Sequence, residues 1–183
     1  MRADSPPDSS LLTLRKLPAG YRVLYTAVLA CFALGHATGL IEQQLRAGLT
    51  PRGAAEWILG NEDDPDAAHL LFPRDAAAVL DDVWRRSLAD VIPTVVTLAL
   101  VFRAGGPGAA RATLGSVLFG TALLDMTGPA LVRALGPALG WVWWSAQITL
   151  TLGICACAAL CVGEMWRLRA SGSRFRQGIP TRA

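Results

Sequence analysis

Apolar stretches at about 23–41, 86–103, 113–135 and 139–163 divide this chain of 183 residues into segments too uniformly hydrophobic for a water-soluble core of its size. A bilayer core about 30 Å thick is crossed by about 20 residues of helix, each adding 1.5 Å. The second stretch is the shortest, but Val79, Leu80, Val83 and Trp84 carry its apolar face upstream into a more charged turn. The pattern predicts an all-α, polytopic membrane protein with four transmembrane helices in a domain spanning 21–168.

The region 42–85 is polar enough to lie outside the membrane and carries its own helix signals. Thr50 suits an N-cap, Pro51 the first helical position and Gly60 the exit, which predicts a short helix through Trp57 and Ile58. An acidic turn follows, containing Pro65. After Phe72-Pro73 a second amphipathic helix is expected, with Ala76, Val79, Leu80, Val83 and Trp84 on one face and Asp75, Asp81, Asp82 and Arg85 off it. Together these form a small two-helix periplasmic cap between the first and second spans. Gly105, Gly106, Pro107 and Gly108 break the chain into a tight inner hairpin, and Gly136-Pro137 makes the last two spans antiparallel neighbours. Residues 1–20, rich in Pro, Ser and Asp, read as a disordered cytoplasmic segment, and 169–183 as a basic cytoplasmic tail.

Charge orients the chain. Basic residues in short loops are retained on the cytoplasmic side. Arg2, Arg15, Lys16, Arg22, Arg103, Arg111 and the five arginines from Arg167 onward outnumber Arg46, Arg52, Arg74, Arg85, Arg86 and Arg133 on the opposite side. Both termini are therefore expected in the cytoplasm, with Trp141, Trp143 and Trp144 at the outer interface of the fourth span and Trp166 at the inner one. Arginine use in place of lysine and an Ala-rich composition suggest a GC-rich bacterial genome, hence a bacterial inner membrane. A net charge of +3, placed at helix ends and tails, excludes nucleic acid as a partner. Val28-Leu29-Ala30-Cys31 resembles a lipoprotein cleavage box, but the apolar run continues past Cys31, so an anchor helix is expected instead.

Within the spans, polar residues recur at one depth. His36 lies ~21 Å and Asp125 ~18 Å from the inner face, and Gln147 ~12 Å from the outer one, so the three can meet, with Thr94 on the second span somewhat deeper toward the cytoplasm. A carboxylate in hydrocarbon must be paired or protonated, which points Asp125 at other helices and makes His36 its natural partner. Pro129 deprives the Asp125 carbonyl of its backbone donor, and Gly128 beside it would ease a kink. Such a cluster serves as interhelical glue or as a proton or quinone contact.

Other candidates reduce to packing. Cys157 and Cys161 share a helix face from which Cys155 is rotated away, so no metal site is expected. The acidic turn lacks the ligand alternation of a calcium loop. Ser116 and Gly120 form a small-residue pair on the third span that permits close helix approach.

Leu71-Phe72-Pro73-Arg74, the run Leu124-Asp125 to Pro129 to Arg133, and the closing Glu164-Met165-Trp166 resemble an uncharacterised family of bacterial four-helix inner-membrane proteins, over the stretch from Leu17 to Trp166. Members of that family carry a His-x-His pair at the start of the second helix and another His near its cytoplasmic end, which implies haem or metal ligation. This chain has Arg85, Ser87 and Leu100 there, so the resemblance supports the fold and weakens a redox role. No cofactor is predicted. The expectation is an integral membrane protein in contact with the lipid bilayer, a non-catalytic structural or accessory subunit that pairs with a membrane partner or a second copy. The alternatives are a cytochrome-b-like electron-transfer or quinone-binding protein and an oligomeric small-molecule or ion transporter.

Overall fold

A computed structural model describes residues 14–67, 69–104 and 107–167 of the chain. The segment 1–13, the tail from 168 and the Gly105–Gly106 hairpin tip lie outside the described residues, and with them most of the expected disordered lead and the basic tail. A 3-10 turn at Leu14–Lys16 leads into α1 (Ala19–Ala47), and α2 (Pro51–Leu59) follows. Next come α3 (Ala76–Arg86), a π-helical segment at Ser87–Val91, and α4 (Ile92–Arg103). The chain closes with α5 (Gly108–Leu135), a 3-10 turn and α6 (Gly140–Trp166). Among the described residues there is no strand. Three segments among the described residues are long and apolar enough to cross a membrane: Ala19–Gln43, Gly108–Leu135 and Pro137–Trp166.

The short elements obey their sequence signals. Thr50 caps α2 by accepting a bond from the Gly53 amide at 2.9 Å. Gly60 ends it at φ 81°, where a side chain is excluded twice over: the backbone is left-handed, and a Cβ would sit 2.7 Å from the Pro73 ring. Asp75 caps α3 through the Ala78 amide at 2.6 Å. The acidic turn is organised by Asn61, whose side chain accepts from the Leu71 amide and donates to the His69 carbonyl. Arg52 bonds both Glu56 and Asp64, and the Glu56 hydrogen bond above all raises its guanidinium beyond the ordinary arginine value.

Four sequence expectations need correction. The second amphipathic helix is not a separate cap element, because α3 passes through the π segment into α4 without a break from Ala76 to Arg103. Of its expected apolar face, Val79 is buried in the protein while Leu80 and Trp84 are exposed. Trp143, expected at the outer interface with Trp141 and Trp144, is fully buried inside the protein, and Gly128, expected to ease a kink, is the notch it fills, since a Cβ there would lie 2.2 Å from the indole Cδ1. Ser116 is exposed and Gly120 half-buried with open space at its Cβ position, and the small residue at the α5–α4 contact is Gly115, against Phe102.

Helix α6 is the axis of the fold, packing against α1, α2, α4 and α5. Two apolar clusters sit along it. One gathers Leu29, Leu98, Val101, Leu118, Ile154, Cys157, Cys161 and Met165. The other, toward α2, gathers Ala54, Ile58, Val79, Val132 and Trp143. Between them in chain order lie the buried polar residues Asp90, Thr94, Asp125 and Gln147. A polar layer sandwiched by two apolar ones is costly unless each group finds a partner.

Candidate functional site

The polar layer is built by five elements. From α5, Asp125 accepts two hydrogen bonds on one carboxylate oxygen, from Arg86 at 3.0 Å and from the Trp143 indole at 2.9 Å. The Arg86 guanidinium also lies over the Trp143 ring, 5.1 Å from its centroid. Asp125, Arg86 and Trp143 therefore close a triangle that ties α3, α5 and α6 together through a charge-assisted bond. Asp90, in the π segment, lies beside Asp125, and its Oδ1 faces His36 Nδ1 at 3.8 Å. That contact is the polar link from α1.

The π segment explains how Asp90 reaches this layer. Pro93 removes the amide that would bond the Ala89 carbonyl, so the helix loosens one turn upstream. The extra residue rotates the rest of the helix, and Arg86 and Asp90, which a regular helix would stack one above the other, instead serve two different partners. Asp90 is buried in consequence.

Of the four residues singled out from sequence, His36, Asp125 and Gln147 line one cavity, while Thr94 is buried nearby and is not on its wall. The direct pairing of Asp125 with His36 is replaced by Asp125 with Arg86 and Trp143, and His36 with Asp90. Sequence reasoning missed Arg86, Asp90 and Trp143. The signals were a proline three residues past an acid and an Arg-Asp spacing of four, both at the start of the expected second span.

The cavity holds about 550 Å³, within the ordinary range for small-molecule sites. It opens between α1 and the α3–α4 helix, which touch little; α6 and Asp125 form its floor. On the α1 side Gly35 and Gly39 face into it, and a Cβ at either meets nothing within 4 Å. Buried atoms on its walls remain without a hydrogen-bond partner: His36 Nε2, Gln43 Nε2, Asp90 Oδ2 and Gln147 Oε1. Arginines on its rim are matched to acids, Arg74 to Asp82 and Arg85 to Asp81. Among the described residues no three His, Cys, Asp or Glu side chains are grouped as metal ligands. Polar atoms from several helices thus converge on one space.

Compared with known proteins, residues 48–172 match the pattern of a family described as a transmembrane helical domain. The matched stretch begins just past α1 and takes in α2 to α6. No curated protein and no solved structure matches the chain.

Proposed function

The chain belongs to a family of transmembrane helical domains, and from that premise we propose that it crosses a bacterial inner membrane four times, with both termini in the cytoplasm, as a non-catalytic accessory subunit. The fourth crossing is the α3–α4 helix. Its exposed apolar side chains Leu88, Ile92, Val95 and Phe102 form a lipid-facing stripe between Trp84, at the level of an interface, and Arg103. Trp84 to Arg103 measures about 28 Å along the axis, close to one hydrocarbon thickness. The first turns of α3, with α2 and the Asn61 loop, then stand on the periplasmic side. Fusion of alkaline phosphatase after Asp64 is expected to be active and fusion after Gly106 inactive; the reverse would overturn the orientation.

The observation that carries the subunit role is the cleft, where buried polar atoms are held ready for an occupant by groups with no catalytic geometry. Electron transfer finds less support. Of the two histidines in the sequence, His36 is engaged with Asp90 and His69 sits on an exposed loop, an arrangement unsuited to bis-histidine haem. Mild-detergent extracts resolved by blue-native electrophoresis are expected to place this 19.4 kDa chain in a larger, colourless complex. A Soret band that shifts on reduction, or migration as a lone monomer, would reject the role.

A further inference from the structure

The cleft carries its own chemical signature, and it is that of a cation site. Three of the side chains whose polar atoms lack partners are at least nine-tenths buried: Asp90 at 6% exposure, Gln147 at 5% and Gln43 at 8%. Two of those atoms, Asp90 Oδ2 and Gln147 Oε1, are acceptors on the floor and the opposite wall. The rim and floor arginines already have carboxylate partners: Arg74, Arg85 and Arg86 with Asp82, Asp81 and Asp125. An anion would be opposed by the carboxylates that already neutralise those arginines. A cation would not.

Charge balance agrees. The groups facing Asp90 are His36 from α1, Arg86 from α3 and Asp125 from α5, while α6 contributes the uncharged Gln147 and Thr151. Two carboxyls against one guanidinium leave one negative charge in a buried layer, where it must be offset by a proton, on His36 or on a carboxyl, or by a cation from the cleft. The apolar part of the wall then selects among cations. A bare alkali ion would leave Phe32 and Leu40 untouched, whereas an ammonium with an organic body has carbon to lay against them. The three donors of a primary ammonium suit the two orphan acceptors, and the Gln43 amide donor on the α1 wall suits an acceptor at the ligand's other end.

We propose that the cleft takes up a small primary amine in its ammonium form, seated on Asp90 Oδ2 and Gln147 Oε1 with its second polar end at Gln43, in exchange for one proton. No bond is made or broken beyond the proton, which leaves the Asp90–Asp125–His36 group for solvent as the ammonium enters. The proposal rests on the reading of this chain as a binding subunit, and it names the occupant.

The test uses the full chain in detergent at fixed ionic strength, with ethanolammonium chloride as probe and sodium chloride as its control. Ethanolammonium is expected to raise the unfolding temperature saturably, with sodium lacking that effect, and binding should weaken by up to tenfold per pH unit of acidification as the proton competes. Asp90→Asn should weaken binding at least tenfold. Gly39→Leu should do the same by filling the space while leaving the carboxylate in place; a side chain there meets open space, so the variant is expected to fold. Repeating the titration in nanodiscs identifies the source: competition by phosphatidylethanolamine but not phosphatidylglycerol assigns the ammonium to a lipid headgroup, and no competition assigns it to a soluble amine. An equal response to sodium, or no response to ethanolammonium, overturns the amine. Affinity unchanged by Asp90→Asn or Gly39→Leu overturns the site, and affinity independent of pH overturns the exchange. None of these outcomes alters migration on the blue-native gel, so the subunit role stands or falls separately.

Discussion

Helices α1 and α6 are both long and apolar, yet the protein uses them in opposite ways. The most apolar window of α6 has 39% of its residues buried inside the protein, and that of α1 has 6%. Hydrophobicity cannot be the cause of the difference, because in a bilayer lipid tails are as good a surround as leucine. What holds α6 is shape and polar pinning. Trp143 fills the notch at Gly128, Leu118 the one at Gly153, and Asp125 draws Trp143 and Arg86 onto one oxygen. Helix α1 is fastened mainly over its first half, where Leu29 enters the core and the Trp166 indole donates to Thr26. Farther along, Gly35 and Gly39 face the cleft. A glycine that is filled and a glycine left open look identical in a sequence; here one kind makes a bundle and the other a binding space.

Removing the central pin should have the largest effect. Asp125→Leu leaves the Arg86 guanidinium and the Trp143 N–H without their acceptor, which is expected to cost about 3 kcal/mol, the lower end for a broken buried pair because Arg86 is partly open to the cleft. Asp125→Asn keeps an acceptor for both and should cost clearly less. Thermal unfolding in detergent measures each. A leucine variant as stable as the parent would mean that α6 is not pinned at this point, and the contrast with α1 would lose its polar half.

Filling the notch comes next. Gly128→Ala drives a methyl group into the Trp143 ring at 2.2 Å, and relief requires the indole to move off Asp125. Overpacking of this kind costs about 1–3 kcal/mol. Loss of the indole's buried fluorescence signature should accompany the fall in stability. A stable variant with unshifted fluorescence would show that α5 and α6 can part without cost.

Much of the all-helical fold was legible because each signal is local. Apolar length marks long helices, and Thr50, Pro51 and Gly60 bracket α2 with residues whose roles depend only on their neighbours. His36, Asp125 and Gln147 stood out because ionisable and amide groups are conspicuous in apolar sequence. Arg86 and Asp90 did not, since they lie in a stretch already rich in charge, and the π segment shifts the helical period between them so that no single face pattern runs through. Trp143 was hidden differently. Its neighbours Trp141 and Trp144 are more exposed, and only the three-dimensional position of Gly128 turns the middle indole inward. Long-range pairing of that kind has no signature along the chain.

The smallest effect belongs to α1 and is the most discriminating. Gly39→Ala adds the same methyl group as Gly128→Ala, in a helix interior, where alanine is favoured over glycine by up to about 1 kcal/mol in water. In a membrane the backbone is already committed to its own hydrogen bonds, so the gain should be smaller. The added carbon meets nothing within 4 Å, which leaves no packing penalty to set against it. Stability should therefore stay level or rise by less than about 1 kcal/mol, measured by the same unfolding assay that reports a loss for Gly128→Ala. Should the two substitutions prove equally damaging, α1 must close onto the α3–α4 helix in the bilayer. The space at Gly39 would then be a packing contact like the one at Gly128, and the cleft would cease to be a site.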